Sequence, residues 1–190
     1  TPTVGRSPGS SFKTFTLLAA LENGYGLRSS ISASPAPRSL YDDWNLPSTT
    51  KSWPTGCKGG SLDLVRATAS SNNCAFVRLQ AAVGGDEVVD VAERLGISTL
   101  DEDAGDIPSL TLGSASVRPL EMAGAYAALA NDGRFNPPHF VTKVEDRDGN
   151  VLYEYEPSQE QAITSEVARQ ATVALAAVVT GGTYKGGSLP

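Results

Sequence analysis

The stretch SPGSSFKTFTLLAALENG, residues 7–24, constrains this chain more than any other. From Ser10 to about Asn23, the apolar residues Phe12, Phe15, Leu17, Leu18, Ala19 and Leu21 specify a helix whose burial is broad rather than one-sided. ENGYG stops it, with Gly24 placed to take a left-handed C-terminal conformation. Lys13 lies inside this run, three residues from Ser10 and on the same helical face. A serine hydroxyl becomes a useful nucleophile when an adjacent base takes its proton. A lysine can be that base only where burial or a neighbouring cation lowers its pKa, and Phe12, Phe15 and Leu17 offer an apolar shell for this. The helix N-terminus adds a free backbone N–H and a dipole where an oxyanion would develop. The plain alternative is a capping serine and a surface lysine.

Composition bounds the rest. The chain has 190 residues, 40% of them apolar, which fits one globular domain with a core. Its net charge of -6 leaves no basic stripe for nucleic acid, so nucleic-acid partners are not expected. TVALAAVVTGG is too short for a membrane span. Cys57, Cys74 and the single histidine, His139, lack metal-ligand spacing, so neither a metal nor another cofactor is expected. The two cysteines read equally well as a disulfide or as free thiols. The chain begins Thr-Pro-Thr and stops at Ser-Leu-Pro, and reads as an excised piece.

Residues from about Leu27 to Gly60, with Pro35, Pro37, Pro47 and Pro54, read as a long, irregular loop of the kind that serves as a lid or insertion. Helical patterning resumes at SLDLVRATASSNN, with Ser61 as N-cap and Asp63 in the first turn. CAFVRLQAAV, DEVVDVAERLGI and RPLEMAGAYAALANDG follow as helices, the last with Pro119 in its first turn and Gly133 as its stop. Residues 139–156 alternate around Asp148-Gly149 and specify a β hairpin. TSEVARQATVALAAVVTGGT closes the series as a helix capped by Thr164 or Ser165. The fold class is mainly α with a small β hairpin.

Serine-x-x-lysine alone is a weak signal, since Ser48 to Lys51 (STTK) matches it too, in a proline-flanked loop that would not align the pair. A second element adds specificity. ASSNNCAFVRL places Ser70, Ser71, Asn72 and Asn73 between two helices, where Ser-x-Asn would give a proton-relaying hydroxyl and a substrate-holding carboxamide. Two registers fit, Ser70/Asn72 and Ser71/Asn73. Capping of the flanking helices is the structural alternative.

In order, PGSSFKTFTLLAALENG, ATASSNNCAFVRL, AERLGI, LTLGSASVRPLEMAGAYAALANDG and VVTGGT resemble the transpeptidase domain of penicillin-binding proteins, the bifunctional class A type most closely. The likeness covers nearly the whole chain, 1–190, as a partial transpeptidase domain. It implies that Ser10 is the acylated serine, Lys13 its partner, and Ser70 and Asn72 the Ser-x-Asn pair, with NNCAF aligned to the family's N-[TV]-x-A-[FV]. The third family motif, Lys-Thr/Ser-Gly, is not matched by Lys185-Gly186-Gly187, and the strands that precede the nucleophile are absent. The fold implied is therefore the helical half of the α+β serine β-lactamase and penicillin-binding fold, without most of its central sheet.

The resemblance implies a serine-type D-Ala-D-Ala transpeptidase that cross-links peptidoglycan stem peptides and is trapped by β-lactams. It also implies a companion segment supplying the Lys-Thr-Gly strand, and a place on the extracytoplasmic face of a bacterial membrane, anchored by the parent protein. The isolated chain is expected to be incomplete for activity. A β-lactamase or D,D-carboxypeptidase, and a non-catalytic β-lactam sensor or scaffold, are the rival readings. Glu22, Glu121 and Glu166 read as solvated glutamates rather than as a deacylating base, and His139 as a surface or packing residue.

Overall fold

The computed structural model describes residues 5–37, 52–54, 57, 59–157 and 160–186. STTK and Pro47 lie outside the described residues. The apolar run after Gly9 enters a 3-10 turn, Gly9–Phe12, which passes directly into helix α1, Lys13–Glu22. Every residue of α1 from Lys13 to Leu21 is buried, as the absence of a one-sided apolar stripe predicts. α1 is the axis of the fold. The large side chains of the turn and of α1, Phe12, Phe15, Leu17 and Leu18, are at most 1% exposed, each worth about 1.5–3 kcal/mol of burial. In α1 the buried polar group Thr16 is satisfied by Thr111 at 2.7 Å.

The excursion after α1 is less irregular than its prolines suggest. β1 (Ser30–Ser32), β2 (Ala36–Pro37), β3 (Ser52–Trp53) and β4 (Ser61–Asp63) form antiparallel pairs, β1 with β4 and β2 with β3. Ser61 is therefore the start of a strand rather than a helix cap. The cap of α2 (Leu64–Ala69) is Asp63, whose carboxylate accepts from Arg66 N at 2.8 Å.

α3 (Asn73–Val83) and α4 (Gly85–Arg94) both pack on α1, and Gly96 (φ +90°) ends the α4 segment. Gln80 on α3 ties down the following loop, donating to Ile107 O at 2.9 Å and accepting from Thr111 N at 2.8 Å. α5 (Pro119–Ala130) begins with proline and is followed by Gly133 in the left-handed region. β5 (Lys143–Glu145) and β6 (Val151–Glu154) form an exposed hairpin. Its turn is held by Asp146, which accepts from Asp148 N and Asn150 N. α6 (Ser165–Gly181), capped by Thr164, packs against α1, α2 and α5.

Among the described residues the strands form three separate two-stranded sheets, and the architecture is helical around α1. Cys57 and Cys74 are joined as a disulfide, with a Cα–Cα distance of 6.1 Å.

Candidate active site

Residues i and i+3 eclipse in a 3-10 turn, and the turn Gly9–Phe12 leading into Lys13 uses that geometry to stack the nucleophile candidate against the lysine. Lys13 Nζ lies 3.0 Å from Ser10 Oγ. Ser10 is exposed, whereas Lys13 is 4% exposed. The N–H of Ser10 belongs to the first turn, where a helix leaves donors without internal acceptors.

Across the cleft, α2 ends in a Schellman motif: Asn72 N–H bonds to Ala67 O and Ser71 N–H to Thr68 O. The left-handed residue such a turn requires is Ser71 (φ 49°), one of two non-glycine residues with positive φ among those described. That handedness swings Ser71 toward Lys13 and turns its neighbours away. Ser70 Oγ folds back onto Arg66 O at 2.7 Å, closing α2. Asn72 is the N-cap of α3, its Oδ1 accepting from Ala75 N at 2.9 Å.

Of the two registers that the sequence allows, the structure does not bring to Lys13 the pair that the resemblance implies, Ser70 and Asn72. The residues brought to Lys13 are Ser71 and Asn73. Nζ lies 3.0 Å from Ser71 Oγ, 2.9 Å from Ser71 O and 2.6 Å from Asn73 Oδ1. The capping alternative holds as well, for Ser70 and Asn72.

These contacts divide the work of the amine. Asn73 Oδ1 and the Ser71 carbonyl can only accept, so they commit two of its hydrogens. The remaining direction is shared by the hydroxyls of Ser10 and Ser71. A neutral Lys13 presents its lone pair there and accepts a proton from either hydroxyl. Burial makes that state accessible, pushing the Lys13 pKa down from 10.5 to about 8. The Phe76 ring, with its centroid 5.8 Å from Nζ, forms part of the apolar wall. A cavity of about 230 Å³ opens over the group, lined by Ser10, Lys13, Ser71, Phe76, Tyr126 and Thr183 among others.

No motif in the sequence singles out Tyr126. Its hydroxyl meets Thr14 Oγ1 at 2.7 Å and donates to Ser11 O at 2.9 Å, tying α5 to the nucleophile turn. Burial raises its pKa, opposed by the Thr14 hydrogen bond. The one signal in the sequence is a lone hydroxyl-bearing ring among small residues, Gly124 to Ala128.

The carboxylates considered as bases are engaged elsewhere. Glu22 pairs with Arg94. Glu121 accepts from Ser98, Thr99 and Arg118. Glu166 accepts from Gln170. His139 stacks on Tyr155 with ring centroids 3.6 Å apart.

The penicillin binding protein transpeptidase domain family matches residues 3–189. The chain belongs to that family. Penicillin-binding protein 1A of Mycobacterium tuberculosis is 34% identical over 187 residues, covering 90% of this chain and 22% of that protein. Penicillin-binding protein 1A of Aquifex aeolicus is 35% identical, covering 97% of this chain and 24% of that protein. The chain thus spans about a quarter or less of these relatives. Among solved structures, the penicillin-binding protein PonA1 of M. tuberculosis superposes with a TM-score of 0.75 at 31% identity, covering 91% of this chain and 47% of that one. PonA1 has also been solved in complex with penicillin V. Penicillin-binding protein 1A of Haemophilus influenzae gives a TM-score of 0.77 at 25% identity, covering 96% of this chain and 31% of that one. The partial transpeptidase fold read from the sequence is the one observed.

Proposed function

We propose that this chain carries the nucleophile, base and relay of a peptidoglycan D,D-transpeptidase. Ser10 attacks the penultimate D-Ala carbonyl of a stem peptide as Lys13 accepts its proton. The Ser10 N–H supplies one donor to the oxyanion. Ser71 passes the proton from Lys13 to the departing D-Ala nitrogen, and the Asn73 carboxamide nitrogen holds the substrate's amide carbonyl. The amine of a neighbouring stem then attacks the acyl-enzyme, with the proton returning by the same path. β-Lactams acylate the same serine.

The placement of Lys13 Nζ at 3.0 Å from both Ser10 Oγ and Ser71 Oγ carries this reading. Glu22, Glu121 and Glu166 are each held by other partners, so none of the three is placed as the deacylating base of the β-lactamase reading. The second oxyanion donor and the substrate-carboxylate site belong, in this reading, to a Lys-Thr-Gly segment beyond this chain. The reaction takes place on the extracytoplasmic face of the membrane.

The test is intact-mass spectrometry of the full-length protein with benzylpenicillin, followed by peptide mapping. A penicilloyl adduct on Ser10 that disappears in Ser10→Ala supports the reading. An unmodified Ser10 in a folded full-length protein contradicts it.

A further inference from the structure

The residue after Asn73 is Cys74, in the first turn of α3, and its disulfide reaches across to Cys57 between β3 and β4. One turn further along α3, Arg78 donates from Nε to Ser34 O and from an Nη to Pro35 O, each at 2.8 Å. Between these anchors, Val77 packs against Ala36, both 0% exposed. The segments on either side of residues 38–51 are thus fastened along one face of α3, and the covalent fastening sits next to the group making the shortest contact to Lys13.

We propose that Cys57 and Cys74 are a positioning disulfide for the catalytic centre, fixing the first turn of α3 so that Ser71 and Asn73 stay in register with Lys13. The assignment rests on the transpeptidase reading of Ser10 and Lys13. The bonds of Arg78, the Asn72 cap and the Schellman turn do not involve either sulfur, so α3 should persist on reduction while its first turn gains freedom. Reductive opening by a dithiol breaks the Sγ–Sγ bond. The dithiol supplies two electrons and two protons, leaving two protein thiols and an oxidised dithiol. Small misplacements of reacting groups slow chemistry without removing substrate binding.

Looser packing also lets water reach Lys13. Among the described residues that line the cavity, Lys13 and Tyr126 titrate, and it is Lys13 that is bonded to Ser71 and Asn73, so hydration of its amine is the change a pH profile reads.

The experiment uses the full-length protein, oxidised and then reduced with dithiothreitol after folding. A mass-based thiol count under denaturing conditions reports the bond. Stopped-flow acylation by a fluorescent penicillin gives the limiting rate constant and the dissociation constant across pH. The expected result is a bonded pair in the oxidised protein and, on reduction, a limiting rate about tenfold lower. The ascending limb, on which Lys13 loses its proton, should move to higher pH, the dissociation constant should stay within about twofold, and reoxidation should restore the rate. The double variant C57S/C74S should match the reduced protein. If that variant does not fold, reduction of the folded protein, monitored by circular dichroism, carries the test alone.

Two free thiols in the native protein, or identical rates and pH limbs in both redox states, would overturn the inference. A bonded protein that penicillin never acylates overturns the transpeptidase reading itself, and this is distinguishable because the thiol count is independent of acylation.

Discussion

Asn73 Oδ1 accepts a hydrogen bond from Lys13 Nζ at 2.6 Å, the shortest contact the lysine makes. A neutral carboxamide at this place satisfies one amine hydrogen without favouring the charged ammonium as a carboxylate would. Asn73→Asp replaces it with an anion of nearly the same shape. The anion stabilises the protonated lysine and raises a pKa that burial holds at about 8, by about 1–3 units. The acylation rate of the variant should fall at neutral pH, and the ascending limb of its pH–rate profile, on which Lys13 loses its proton, should shift to higher pH. A pH–rate profile with benzylpenicillin checks this, and an unmoved limb counts against Lys13 as the base.

Lys13 also links folding to pH. Its pKa is about 8 in the fold and 10.5 when unperturbed, so between these values the unfolded chain binds more protons than the native one. Stability therefore rises with pH across that window. Below about pH 8 the full cost of burying the charge is present, on the order of 1–3 kcal/mol. Lys13→Met should remove this pH dependence. Urea unfolding of both proteins at about pH 7 and about pH 10 should show the wild type gaining stability relative to the variant.

The left-handed backbone of Ser71 predicts a separation of stability from activity. Left-handed geometry costs a residue with a Cβ roughly 1–2 kcal/mol, which glycine does not incur. Ser71→Gly should therefore be about 1 kcal/mol more stable than Ser71→Ala, while both lose acylation activity. Thermal unfolding beside penicillin binding decides it, and equal stability of the two variants counts against strain at this turn.

The nucleophile turn is also held from below. A Cβ on Gly113 (φ +74°) would lie 2.1 Å from Gly9 O and 2.5 Å from Gly9 N, and neither backbone atom can move without shifting the Ser10 turn. Gly113→Ala should destabilise the protein by about 1–3 kcal/mol and slow acylation although it touches no substrate. Chemical denaturation and acylation kinetics on the same preparation measure both effects.

Much of this architecture is legible in the residues. The apolar run from Phe12 to Leu21 predicts a helix buried on more than one side, and α1 is the axis of the fold. Gly24, Gly96 and Gly133 take the left-handed conformations that their positions after helices suggest. β1 and β4 are not legible, because strands of three residues are too short to display alternation.

The Ser-x-Asn register fails for a different reason. Ser70 and Ser71, and likewise Asn72 and Asn73, have the same capping chemistry, so residue type cannot separate a cap from a site. What separates them is the sign of φ at Ser71, a property of the turn that a list of side chains does not display. Tyr126 is hidden similarly, since only the crossing of α5 over the turn brings its hydroxyl to Ser11.

In the proposed mechanism Lys13 works with Ser10, Ser71 and Asn73 rather than with Ser70 and Asn72. This is tested most directly by comparing benzylpenicillin acylation rates of Ser71→Ala and Ser70→Ala in the full-length protein. Loss of the relay hydroxyl should slow Ser71→Ala by roughly 10²–10⁴-fold, whereas Ser70→Ala, which loses bonds to the α2 carbonyls of Arg66 and Ala67 alone, should stay within about threefold of wild type. A slow Ser70→Ala beside a fast Ser71→Ala would contradict the account.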